Sequence, residues 1–285
     1  MKKDVIKTIQ EKQPEKTGLW KNVALFFIGW FGLSVVATIA QALIMIFSNV
    51  PIQEVSGFFL SNIVTQAIKD AMTQSWVDIT VNSIAYLGVA LVMVAILRTD
   101  LVEHLKTFKN GKAYVAGLIG LLLIIVFNNV YKSLVEPLYP ITDNVNEESL
   151  DSTITMFPVI SIFIFGIIGP LVEELTYRVG LYSLLKKKSK ILAYILTIII
   201  FASIHFSLES VAYAIDTGNS TWLVNELLNM PTYMFAASVF IYLYDNYGLA
   251  GSLSAHMYNN LLSIIGQIIL SKLWKNLNLQ LVNLF

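Results

Sequence analysis

Cysteine is missing from the 285 residues, so no disulfide framework can staple the chain, and its redox compartment is unreadable without a thiol. Charge is also scarce: 13% of residues carry it, where soluble domains carry about 25%. Arginine is nearly missing, with two residues against seventeen lysines. Basic and acidic residues cancel at 19 each, and no basic patch interleaves with aromatics, which sets aside a nucleic-acid binder. What fills the chain is apolar, 56% of residues with a mean hydropathy of +0.67. So few charges cannot cover a water-facing surface of this size. The shortage recurs in several long uncharged stretches, which places the chain in a bilayer and sets aside a soluble enzyme.

Weighed against the roughly 20 residues that cross hydrocarbon, five runs are good spans: 23–47, 79–97, 113–131, 154–172 and 247–270. The fourth is expected to run on past Arg178. The run 191–206 is short, and 227–244 is interrupted by Pro231. The expected fold is all-α, a polytopic membrane helix bundle of about seven transmembrane helices with short interfacial helices. Residues 57–68 are too few to cross and read as interfacial or re-entrant. The expected division is a cytoplasmic tail over 1–22, N-terminal spans with the interfacial segment over 23–153, a helix bundle carrying the site over 154–270, and an interfacial tail over 271–285.

Lysine and arginine set orientation, because positively charged loops stay in the cytoplasm. Fourteen of the nineteen basic residues fall in three alternate segments, 2–21, 98–112 and 186–190. The N-terminus is therefore expected in the cytoplasm of a multi-pass cell-membrane protein. Ala40-Gln41-Ala42 faintly resembles a signal-peptidase site, but the apolar run before it is too long and continues beyond it, so a retained first helix is expected.

An ionisable residue inside an apolar helix costs roughly 2.5 to 3.5 kcal/mol on insertion scales, so a cluster of them marks a site. One dense cluster exists, Gly169 to Arg178. Glu174 and Arg178 are four apart and share a helix face, while Tyr177 follows Glu173 by four on the neighbouring face. One carboxylate can thus be neutralised by the guanidinium and the other left free. In a chain so poor in arginine, Arg178 suggests a need for a planar fork against carboxylate. The plainer alternative is a helix-end ion pair at the interface.

Two of the three histidines also lie in apolar helices. His205 ends the run 201–205, and His256 shares a face with Asn260 four residues on. A single buried histidine is more often a packed core residue, whereas two, with two glutamates, an arginine and an asparagine, suggest a common site. His104 sits in a basic loop and reads as solvated. Glu173 and His205 flank the 186–190 turn symmetrically, so antiparallel helices joined there place both about 24 Å from its tip at 1.5 Å per residue. His256 lies only about 12 Å from the expected start of the last helix, so the fourth and fifth helices project, or breaks at Pro170 and 245–248 bend them.

These residues carry a family resemblance. Glu173-Glu174-x-x-x-Arg178, Phe201-x-x-x-His205 and His256-x-x-x-Asn260 resemble, in order and spacing, the motifs of the CPBP intramembrane proteases, also called Abi or CAAX-type. That family includes the Ras-converting prenyl-protein proteases and bacteriocin self-immunity proteins. The likeness covers 154–270, with no departure at a motif position, and the first 150 residues show nothing comparable. The resemblance implies an endopeptidase without a cofactor or metal, in which Glu173 activates water, His205 helps hold and polarise it, Glu174 and Arg178 tune the base, and His256 and Asn260 donate to the oxyanion. Burial disfavours a charged carboxylate and nearby positive charge opposes that.

A competing reading makes Glu173, His205 and His256 zinc ligands, although no His-Glu-x-x-His helix supports it. Others are a scaffold that binds a membrane-protein partner and a pocket that carries a small solute, the latter unsupported by internal repeats. The expected substrate is a hydrophobic peptide or membrane protein reached along the bilayer. The use of Lys, Ile and Asn tilts the reading towards a bacterial member and towards peptide maturation or bacteriocin immunity.

Overall fold

A computed structural model describes residues 17–139, 141 and 145–282; for 145–149 and 274–282 it describes the backbone alone. Most of the expected cytoplasmic tail and the last three residues of the expected interfacial tail lie outside the described residues. Twelve helices and no strand occur among the described residues: α1 (Leu19–Phe47), α2 (Ile52–Ser61), α3 (Gln66–Met72), α4 (Val77–Leu97), α5 (Leu101–Lys106), α6 (Gly111–Val135), α7 (Val145–Met156), α8 (Pro158–Lys186), α9 (Lys190–Ser203), α10 (Leu208–Thr217), α11 (Thr221–Tyr247) and α12 (Leu249–Val282).

Five of these, α1, α4, α6, α8 and α11, are long and apolar enough to cross a bilayer, and a sixth span arises if α9 and α10, bent by 60° at their junction, count as one. The protein is a polytopic helical membrane bundle. The expected seventh span is α12. It has the length but is not among those apolar enough, because His256, Asn259, Asn260 and Gln267 interrupt its leucines and isoleucines. The interfacial run 57–68 resolves into two short helices, α2 and α3. The hydrophobic faces of α2 and α3 pack on Met45 and Val50. Pro231 does not interrupt its span; α11 continues through it for 27 residues.

Side chains on the outer faces of the spans, such as Phe31, Leu91, Leu122 and Ile195, are exposed, as a surface that meets acyl chains requires. The core is built where α1 packs along α4 and α8, and where α11 and α12 pack on α6. Close approach is set by glycine. A Cβ at Gly180 would stand 2.9 Å from the Phe26 backbone nitrogen, and one at Gly29 would collide with the Thr176 side chain, so α1 and α8 touch nearly backbone to backbone.

Three basic segments meet at one end of the bundle. Lys186 and Lys190 both reach Asp245, at 2.6 and 2.8 Å, and Lys187 donates to Asn22 at 3.0 Å. Lys21 pairs with Asp100 at 2.9 Å and holds its carboxyl below the ordinary aspartate range. His104 is not solvated, contrary to expectation. It is buried against this end in a 2.9 Å hydrogen bond with Thr17, because the turn after α5 tucks beneath α12, where the Ala250 amide donates to the Thr107 hydroxyl at 3.1 Å.

Candidate active site

α8 carries the acidic pair, and its backbone is irregular on both sides of it. Residues 164–168 and 175–182 form wide π-turns flanking the α-helical Gly169–Glu174 segment. Pro170 has no N–H to give. The Gly169 amide bonds back to the Ile164 carbonyl, so the following carbonyl, Phe165, loses the donor that Pro170 would have supplied in the same register. Asn260 fills the vacancy, its Nδ2 donating to the Phe165 oxygen at 3.1 Å. The Gly-Pro pair thereby creates a polar anchor point inside the bundle, and α12 docks on it. Wide turns of this kind cluster at functional sites.

Glu174 and Arg178 form the buried pair that the four-residue spacing predicts, with Nη1 3.2 Å from Oε1 and both side chains fully buried. The guanidinium contacts the carboxylate through a single nitrogen, so the expected fork geometry is not the reason for arginine. The plane of the group is used differently. Its central carbon lies 4.5 Å from the Phe201 ring centroid and 5.2 Å from that of Phe240, a cation between two aromatic faces. His256 completes the cluster. Its Nδ1 is 2.9 Å from the same Glu174 oxygen, its ring stacks on Phe240 at 4.5 Å, and its Nε2 points to Glu173 Oε2 at 3.6 Å.

Glu173, one residue from Glu174, has a different environment. At 3.6 Å the His256 contact is too long for a direct hydrogen bond, and Glu173 Oε2, though buried, has no hydrogen-bond partner in the protein. The residue lines a cavity of about 350 Å³. His205 and Asn260 line it too, together with Phe165 and Gly169 of α8 and Leu150 and Thr153 of α7. His205 sits just past α9 and stacks on Tyr233, with ring centroids 4.2 Å apart. Four of the predicted residues thus converge: Glu173, His205 and Asn260 on the cavity, and His256 between the two carboxylates. Glu174 and Arg178 stand behind them, outside the cavity wall. Among the described residues, no three His, Cys, Asp or Glu side chains are grouped so as to hold a metal ion. Glu173, His205 and His256 are therefore not arranged as a ligand set.

Sequence reasoning missed two contributions. Asp78, Asn82 and Tyr86 of α4 form one wall of the cavity. Their i, i+4, i+8 spacing in an otherwise apolar span is a legible polar stripe, overlooked because the expected span begins at 79, one residue past Asp78. Glu226 of α11 is buried and accepts a hydrogen bond from the Ser207 amide at 3.1 Å, fixing the bend two residues after His205. A carboxylate just before an apolar run was the available signal.

Residues 155–262 match the family model described as Type II CAAX prenyl endopeptidase Rce1-like, the CPBP/CAAX protease family that the three motifs resemble. The matched stretch runs from the end of α7 into α12 and holds every residue of the three motifs. No curated protein and no solved structure matches the chain.

Proposed function

With residues 155–262 matched to the Rce1-like family of CAAX-type membrane proteases, we propose that this protein is an intramembrane endopeptidase in which Glu173 activates the attacking water. The observation that carries the reading is that Glu173 lines the cavity with no hydrogen bond from the protein to its Oε2, beside a second glutamate that lies outside the cavity wall with Oε1 held by Arg178 and His256. A base must be within hydrogen-bond reach of a water and must not be spent on another partner. Glu173 lines the cavity and no hydrogen bond from the protein reaches its Oε2, whereas Glu174 lies outside the cavity wall with Oε1 held by Arg178 and His256.

In the proposed reaction a water held between Glu173 and His205 gives its proton to the Glu173 carboxylate while its oxygen attacks the scissile carbonyl. The carbonyl π-electrons move to oxygen. The resulting oxyanion accepts from the second amide hydrogen of Asn260, whose first is fixed on Phe165. In its imidazolium form His256 donates from both ring nitrogens, Nδ1 to Glu174 and Nε2 towards the oxyanion. Collapse of the intermediate breaks the C–N bond, and the proton on Glu173 passes to the leaving amine. Loss of one oxyanion donor typically lowers the rate about 100- to 1000-fold.

The test is Glu173→Gln in the full chain. Peptides released from membranes holding wild-type protein, and unaffected by a chelator, are expected to disappear with the variant while its insertion and folding persist. A Gln variant with undiminished biological activity would instead make the protein a scaffold that binds a membrane partner. Activity lost to chelation and restored by zinc would replace the glutamate mechanism with a metal one.

A further inference from the structure

We infer that α4 supplies the substrate-reading wall of this site, with Asp78 selecting a peptide that carries a cationic group three or four residues from the bond cleaved. This rests on the endopeptidase reading above and assigns a role to residues outside the matched 155–262 segment.

Tyr86 marks the deep end of the wall. Its ring meets Phe165 edge-on at 6.2 Å, and a Cβ built on Gly169, one turn before Glu173, would stand 3.6 Å from it. From there Asn82 and Asp78 follow at one-turn intervals along the cavity. Eight residues of helix span about 12 Å, the length of three to four residues of extended peptide at about 3.3 Å each. Asp78 lies at the first turn of α4 and is exposed. The Asn82 amide donates to the Asp78 backbone carbonyl at 2.9 Å, which orders the turn without engaging the carboxylate.

Charge decides what this wall favours. Asp78 and Glu173 are carboxylates, and neither lysine nor arginine is among the described residues lining the cavity. A positive side chain or a free amino terminus is therefore attracted to the mouth, and an acidic group is repelled. The mouth also lies opposite the lysine-rich end where Lys21, Lys186 and Lys190 gather, since α4 begins at Val77 and ends beside that cluster. By the positive-inside rule the mouth faces away from the cytoplasm. The substrate it fits is a membrane-associated cationic peptide on that side.

The test uses full-length protein in nanodiscs and a series of apolar peptides with one lysine, glutamine or glutamate placed at successive positions. Binding is read in the Glu173→Gln background, so that it does not depend on turnover. The lysine peptides are expected to bind about fivefold tighter than the glutamine peptides, the upper range for a solvent-facing ion pair. Adding Asp78→Asn should bring the ratio to about one, and adding Asp78→Lys should turn the preference to glutamate. A ratio near one with Asp78 in place, or a ratio that survives Asp78→Asn, overturns the inference. Turnover of the same peptides by wild-type protein separates the two readings. Cleavage without lysine preference removes this inference alone, whereas lysine-selective binding with no cleavage removes the endopeptidase reading alone.

Discussion

Glu173 and Glu174 occupy two regions of the bundle although they are adjacent on one helix, about 100° apart around its axis. Behind α8, Glu174 is sealed in with Arg178, His256 and two phenylalanine rings, without access to water. In front, Glu173 lines the cavity. Each glutamate keeps one buried oxygen without a hydrogen-bond partner, so the difference teaches that a buried carboxylate marks chemistry where it also lines a cavity. A carboxylate matched by a guanidinium and an imidazole holds helices together, and its neighbour inherits a fixed position from that arrangement.

The comparison breaks most severely at Arg178. Arg178→Met strands the Glu174 charge and is expected to lower stability by about 3 to 5 kcal/mol, read as unfolding in mild detergent. A stable Arg178→Met protein would mean that the region behind α8 is not held by charge. Gly180→Ala tests the same region through packing. Its new methyl meets the Phe26 backbone, so a loss of about 1 to 3 kcal/mol is expected, and an unchanged unfolding profile would contradict the tight α1–α8 contact. The lack of native cysteine allows a third test that leaves stability nearly untouched. Gln74→Cys, at the cavity end, should react with a membrane-impermeant thiol reagent in intact cells. Lys109→Cys, at the lysine-rich end, should react only after permeabilisation, and the reverse pattern would invert the proposed orientation.

Much of this was legible in local spacing. The Glu174–Arg178 pair follows from i, i+4 geometry, and the meeting of Glu173 and His205 at one cavity follows from their symmetric distance to the 186–190 turn. What escaped depends on contacts between elements distant in sequence. Nothing near Asn260 announces that its amide completes a carbonyl left bare by Pro170, ninety residues earlier. The burial of His104 depends on Thr17 and the start of α12. The stacking of Arg178 on Phe201 and Phe240 requires three helices to be in place. The α4 stripe is different. Its periodicity was visible, but a polar stripe reads as a cavity wall only once an acidic helix is seen opposite. The shortfall of α12 in apolarity has the same origin as its importance, since the polar residues that lower it are those that reach the site.

The division between the two glutamates is tested most directly by measuring unfolding and peptide release on the same nanodisc preparations of wild type, Glu173→Gln and Glu174→Gln. The expected result is that Glu173→Gln unfolds like wild type and releases peptide about 100- to 10,000-fold more slowly, the range for loss of a general base, whereas Glu174→Gln unfolds more readily. Wild-type release by Glu173→Gln, or equal destabilisation of the two variants, would contradict it.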